Sequence, residues 1–295
     1  MRRYAPTTIQ RVLALRQLPG LGDADLSDLA TIAENAVERT FTARTTVAAP
    51  GSRVAALHLV VEGRLEAAAS RHAWGPRRLF GALEAIAGRA VAERVVAAPG
   101  TRTLQLATAD LAEILEDNYS VMAGARRTLA RRLLAPGTAR IERPRAPAAE
   151  LGGPLEMMER LLILRAQPRF AGAPLQALST LAQATDELQV PARTPIHRAG
   201  QDADGLMILL GGLAQVSRPG GLELLEPGAA IGALESLAER PYTGDVDAVT
   251  AVRVLHLPGA ALLDVMEDHT DFATALLGRL AGELLDLARL PPEVN

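Results

Sequence analysis

Apolar residues follow two rhythms along this chain, and both run through their cycle twice. Leu13, Leu18, Leu26, Leu29, Ile32 and Ala33 recur at helical spacing, with a break at Pro19-Gly20. Asp25 or Ser27 is placed to cap the second helical piece. Short runs bounded by turn residues follow at VERTFTA (37–43), TTVAAPG (45–51) and VAALHLVVEGRLEAAA (54–69), and they predict strands. Gly51 and Gly63 sit at the turns, where glycine reaches positive φ without a Cβ clash. ALEAIA (82–87) predicts a short helix, VVAAPGTRTLQLA (95–107) another strand pair, and 110–118 and 119–134 two closing helices. The second cycle has strands at LQVPA (188–192), LMILLGGLAQVS (206–217) and VTAVRVLHL (249–257), then helices at 259–268 and 271–288.

The cycles also match residue by residue. Shifting the chain by 149 positions puts Leu13, Leu15, Arg16, Pro19, Leu26, Leu29 and Thr31 on Leu162, Leu164, Arg165, Pro168, Leu175, Leu178 and Thr180. The same shift puts Gly51 on Gly200 and Gly63 on Gly212. After a two-residue insertion, FGALEAIAGR (80–89) falls on IGALESLAER (231–240). Such self-similarity is the mark of a repeated folding unit. Consecutive strands without an intervening helix exclude parallel βαβ units. The fold class expected is α+β: two tandem antiparallel β-rolls of jelly-roll type, each flanked by N- and C-terminal helices. The expected domains are 1–136 and 155–295, joined by a Pro/Ala/Arg-rich linker at 137–154.

Composition narrows the chemistry. There is no cysteine, so disulfides, zinc–thiolate sites and thiol nucleophiles are excluded. All 31 basic residues are arginine, so a lysine-dependent phosphate loop is excluded too. The histidines His58, His72, His197, His256 and His269 do not stand at metal-ligand spacing. No nucleophile-elbow motif occurs, no metal or cofactor is expected, and the chain reads as non-catalytic. GLGDAD and GGLELLEPGAA read as turns. The N-terminus lacks the apolar core of a secretory signal, and no run of about 18 apolar residues occurs, so a cytoplasmic protein without a membrane span is expected.

Charge is unevenly spread. Residues 1–150 hold 21 Arg against 15 acidic residues, a net +6, and residues 151–295 hold 10 against 19, a net −9. Arg126, Arg127, Arg131 and Arg132, with Arg140, Arg143 and Arg145, make a basic cluster open to an acidic partner or nucleic acid. Leu276, Leu277, Leu280, Leu284 and Leu285 form an apolar stripe that needs a partner surface, whether the repeat's own β-roll or a second copy.

FGALEAIAGRAVAERV (80–95) and IGALESLAERPYTGDV (231–246) resemble the phosphate-binding cassette of the cyclic nucleotide-binding domain family, whose pattern is roughly F-G-E-x-A-L-x-x-x-x-P-R-A-A-x-V. LHLVVEGRLEA and LMILLGGLAQV resemble the family's strand–glycine–strand segment. The resemblance implies a short helix offering backbone N–H groups to a cyclic phosphate, an arginine forked onto that phosphate and a glutamate on the ribose hydroxyl. Both repeats depart from this. The glutamate position holds Ala82 and Ala233, and the arginine position holds Val91 and Tyr242. Glu84 and Glu235 stand at the start of the short helix, where a carboxylate satisfies the helix dipole and repels phosphate. Asp245 and Arg94, of opposite charge, occupy the position that faces the base.

The cassette remnants are therefore Gly81, Glu84, Arg89 and Arg94 in repeat one and Gly232, Glu235, Arg240, Tyr242 and Thr243 in repeat two. Arg89 and Arg240 are expected to pair with Glu84 and Glu235 or to face water. The function expected is regulation or scaffolding through a protein partner or self-association, without cyclic nucleotide bound in the usual way. The alternative is a sensor that takes a cyclic nucleotide or other small molecule in a non-standard manner. The helix-turn-helix module of DNA-binding relatives is not recognised, so no DNA-binding role is expected.

Overall fold

The computed structural model describes residues 7–135, 153–218 and 221–288. Repeat one opens with α1 (Thr8–Arg16) and α2 (Leu26–Asn35). Eight strands follow: β1 (Val37–Phe41), β2 (Thr45–Ala48), β3 (Ala56–Glu62), β4 (Leu65–Ala67), β5 (Ala73–Trp74), β6 (Leu79–Phe80), β7 (Val95–Ala97) and β8 (Thr101–Ala107). The short helix α3 (Ala82–Ala87) lies between β6 and β7, and α4 (Thr108–Asp117) and α5 (Tyr119–Leu133) close the repeat.

Repeat two has α6 (Met157–Ala166) and α7 (Leu175–Gln183) in front. Its strands are β9 (Asp186–Val190), β10 (Pro195–His197), β11 (Gly205–Gly211), β12 (Ala214–Arg218), β13 (Gly221–Leu225), β14 (Ala230–Ile231), β15 (Asp245–Ala248) and β16 (Val252–Pro258). The short helix α8 (Ala233–Ala238) follows β14, and α9 (Gly259–Asp268) and α10 (Thr270–Leu287) come last. GLELL, read from sequence as part of a turn, is strand β13: Leu225 alternates inward while Leu222 and Leu224 stay exposed.

The topology repeats strand for strand. Repeat one has sheets ordered β1-β8-β3-β6 and β2-β7-β4-β5. Repeat two has β9-β16-β11-β14 and β10-β15-β12-β13, the same order under the internal match. The ladders are antiparallel throughout, as β3 on β8 and β11 on β16 illustrate. Each pair of sheets closes on an apolar core, with Phe41, Val60, Leu65, Phe80 and Val95 in repeat one. Met207, Leu209, Val216, Leu225 and Val254 fill the core of repeat two. These are the inward positions of alternating strands, and burying them drives the sheets together.

The leading helix pair is held alike in both repeats. Arg11 Nη1 donates to the carbonyls of Ala33 (3.2 Å) and Ala36 (2.8 Å) at the end of α2. Arg160 Nη1 donates to Thr185 O at 2.5 Å. Arg160 and Thr185 lie 149 residues beyond Arg11 and Ala36, so the repeat extends further towards the N-terminus than the sequence match used above.

Contacts divide the chain into two units, one reaching Thr128 and resuming at Leu277, the other running from Leu129 to Leu276. The linker expected at 137–154 lies, up to residue 152, outside the described residues. Two surface features read from sequence change here. Leu276, Leu277, Leu280 and Leu284 are buried within the chain, so that stripe is already covered and offers no dimer face. Arg126 is buried as well, so the basic face of α5 is narrower than the sequence implied. Among the described residues, no helix is long and apolar enough to cross a membrane.

Candidate functional site

Each short helix is launched by a glycine with positive φ, Gly81 at +91° and Gly232 at +80°. Packing alone demands glycine at both. A Cβ on Gly81 would stand 2.7 Å from Val54 Cγ1, and one on Gly232 would stand 2.5 Å from Gly205 O. The glycine most reminiscent of a phosphate cradle is thus fully explained by the strand-to-helix turn.

In repeat two the position of the family arginine is occupied from within. Tyr242 is buried, and its ring lies flat on His197, with centroids 3.7 Å apart and planes 10° from parallel. Its hydroxyl donates to Asp204 Oδ1. Burial first, and then the Asp204 carboxylate, push the Tyr242 phenol well above its usual pKa. Glu235 is buried in the first turn of α8 and accepts from Thr243 Oγ1 at 2.7 Å. The cleft between these groups is lined by His197, Arg218, Ile231, Gly232, Glu235 and Val246, among others. It leaves a cavity of about 10 Å³, room for a single water at the smallest. His197 is buried with neither ring nitrogen hydrogen-bonded among the described residues, and Arg218 Nε is likewise unmatched there. Burial lowers the His197 pKa against the opposing pull of Glu235 and Asp204.

Repeat one solves the same problem differently. Val91 is buried in the core cluster with Val54 and Phe80, and its backbone bonds Ser52 O and Gly51 N. Its side chain therefore faces the core and not a ligand. Trp74 packs edge-on against Phe80 at 5.1 Å. Glu84 is half-buried, and its carbonyl accepts from Arg89 N at 2.9 Å. The Arg89 guanidinium turns away from Glu84 and forks onto Asp286, with Nη2 to Oδ2 at 3.0 Å. The pairing with Glu84 expected from sequence is replaced by this one. Arg94 O accepts from Ala68 N at 2.9 Å, and neighbouring Glu93 accepts from Ala69 N and Ser70 N.

Arg240 is exposed, and its backbone bonds Glu235 O at 3.0 Å. Asp245 Oδ1 accepts from Ala199 N at 2.8 Å. The structure therefore brings Gly232, Glu235, Tyr242 and Thr243 together and leaves Arg240 outside that group. Sequence reasoning missed His197 and Asp204, which complete the cluster. Their signal lay in strand and loop positions whose partners are more than 35 residues away.

One family and several solved structures are similar to this chain. Residues 187–269 match the cyclic nucleotide-binding domain family. No curated protein matches the chain. Among solved structures, the chain is similar to the regulatory domain of Toxoplasma gondii PKA with cAMP, at 18% identity over 92% of this chain and 97% of that one, with a TM-score of 0.36. It is similar to the regulatory subunit of a cAMP-independent protein kinase A from Trypanosoma brucei, at 17% identity over 99% and 92%, with a TM-score of 0.37. It is also similar to the N-terminal domain of a transcriptional regulator from Streptomyces coelicolor A3(2), at 26% identity over 42% and 94%, with a TM-score of 0.39. The match to the cyclic nucleotide-binding domain family thus falls on repeat two, and repeat one carries the same strand order.

Proposed function

We propose that this chain is a non-catalytic regulatory or scaffolding protein of the cytoplasm, whose two β-roll domains, 1–136 and 155–295, act through protein contacts and not through a bound cyclic nucleotide. One observation carries the reading. In both repeats the residue at the phosphate-arginine position, Val91 or Tyr242, is buried in the protein's own interior. A nucleotide in repeat two would have to displace the Tyr242–His197 stack and break the Tyr242–Asp204 and Thr243–Glu235 hydrogen bonds. It would also bring phosphate up to the buried Glu235 carboxylate, and Tyr242 supplies no charge-assisted contact of about 1.5–3 kcal/mol to offset those losses.

A second reading has its own support. The unmatched nitrogens of His197 and Arg218 line the cleft that Glu235 borders, and buried polar atoms without partners mark places where a ligand can bond. On that reading a small polar molecule enters repeat two, with Glu235, Tyr242 and Thr243 rearranging around it. Gly81, Glu84, Arg89, Arg94 and Arg240 would remain the other contact candidates.

A thermal-shift titration against cAMP, cGMP and cyclic dinucleotides separates the two. A ligand at 100 times its dissociation constant stabilises a folded protein by about 2.7 kcal/mol, a readily visible shift. We expect no shift for any of them at millimolar concentration. A saturable shift that disappears in Glu235→Gln would replace the first reading with the second.

A further inference from the structure

Among the described residues, twelve large apolar side chains are exposed, and six of them fall into three pairs related by the internal repeat. Ile9 is 73% exposed and its equivalent Met158 64%; Leu13 is 54% and Leu162 56%; Leu26 is 60% and Leu175 61%. Isolated exposed leucines need no explanation. Recurrence of both apolar character and exposure at three matched positions does, because nothing in the packing of either repeat covers them. The supporting geometry recurs as well. Ile9 and Leu13 lie one turn apart on α1, and Leu26 opens α2. Met158 and Leu162 lie one turn apart on α6, and Leu175 opens α7. Arg11 and Arg160 clamp the two hairpins at equivalent carbonyls. The chain thus displays one apolar face twice, on two rigidly held helical hairpins.

We infer that this face is a self-association surface, on which the α1–α2 hairpin of one copy receives the α6–α7 hairpin of a second copy. Charge selects the unlike pairing. Over 7–35 the first hairpin carries Arg11 and Arg16 against Asp23, Asp25, Asp28 and Glu34, a net −2, and over 153–184 the second carries Arg160, Arg165 and Arg169 against Glu156 and Glu159, a net +1, so unlike faces attract and like faces repel. Each hairpin also presents an exposed arginine and an exposed carboxylate beside the apolar residues, Arg16 with Asp25 and Arg165 with Glu156. Each copy offers both faces, so unlike pairing is a heterologous contact. The inference rests on the proposed action through protein contacts, but its test reads mass and is independent of any nucleotide titration.

Light scattering on the whole chain at about 50 µM and low salt should give at least a dimer, and dissociation constants then follow from dilution. Raising the salt to about 0.5 M, where screening acts within a few ångströms, should loosen it. Leu13→Glu and Leu162→Glu should each raise the dissociation constant by about tenfold or more. Both side chains are over half exposed, so folding, checked by circular dichroism, is preserved. Leu222→Glu, at a leucine that is more exposed still but lies on strand β13, should change nothing. Mixing Leu13→Glu with Leu162→Glu should restore association, because one face of each variant is intact and the two are complementary. A monomeric wild type, indifference to either substitution, or no recovery on mixing would overturn the inference.

Discussion

The two short-helix segments share one sequence pattern, with alanine after the glycine and no arginine ten residues after it, yet they fill the space beside the helix by opposite means. Repeat one fills it with hydrocarbon: Val91 joins Val54 and Phe80 in an apolar cluster. Repeat two closes its pocket with polar groups, the Tyr242–His197 stack, the Tyr242–Asp204 bond and the Thr243–Glu235 bond. An apolar plug tolerates no charge, while a polar plug can exchange one hydrogen-bonded partner for another. The same strand-to-helix turn can therefore be filled in two ways, and among the described residues only the polar way leaves unmatched atoms such as the His197 nitrogens beside it.

Placing an arginine at the matched position of each repeat sharpens this contrast, and the largest effect belongs to repeat one. Val91→Arg puts an unpaired charge into the apolar cluster and should cost about 3–5 kcal/mol of stability. Tyr242→Arg loses the stack but lands beside Asp204, and should cost less, about 1–2 kcal/mol. Urea unfolding of the two variants checks the order. Equal losses, or a larger one for Tyr242→Arg, would remove the distinction between the plugs.

An intermediate effect comes from acid. His58 sits between the rings of Phe41 and Phe80, with Nδ1 3.3 Å from Thr103 Oγ1. Burial, and then the nearby Arg39 charge, lower its pKa from 6.5 to about 4. The folded state therefore favours the neutral ring. The stability this confers is complete above pH 6.5 and is lost as pH falls from 6.5 towards 4, by roughly 3 kcal/mol in all. Unfolding curves across that window should fall more steeply for the wild type than for His58→Gln. Parallel curves would show that His58 does not set the acid limit of repeat one.

Much of this was legible in the chain. Period-two runs bounded by glycine located the strands, and ALEAIA and GAALLDVMED matched α3 and α9 residue for residue. Local patterning suffices there because both helices are bounded by sharp backbone signals, Gly81 and Pro258. The matched positions Val91 and Tyr242 were legible too, since the internal repeat fixes its own spacing. What they touch was not. His197 and Asp204 reach Tyr242 across sheet contacts that no local window contains, and Arg89 reaches a carboxylate 197 residues away. The exposed pairs on the leading hairpins were hidden for a different reason: helical periodicity marks a residue as apolar without saying whether anything covers it.

The smallest effect tests whether the Arg89–Asp286 pair has any share in closing repeat one. The side chains of Arg89 and Asp286 are 37% and 59% exposed, and exposed ion pairs contribute under about 1 kcal/mol. Close packing does more to hold this part of α10. A Cβ on Gly278 would stand 3.2 Å from Ile86 O, and one on Gly282 would stand 3.3 Å from Arg89 Nη2, so the helix lies as near as glycine permits. Asp286→Asn should therefore lower stability by less than about 1 kcal/mol, and salt should erase the difference. It should also leave the protein blind to cAMP, although it releases the cassette arginine Arg89 from its carboxylate partner. If Asp286 were standing in for a phosphate, the same variant would acquire a saturable cAMP-induced thermal shift. In that case the closure of repeat one would be a removable latch and not a plug of hydrocarbon at Val91.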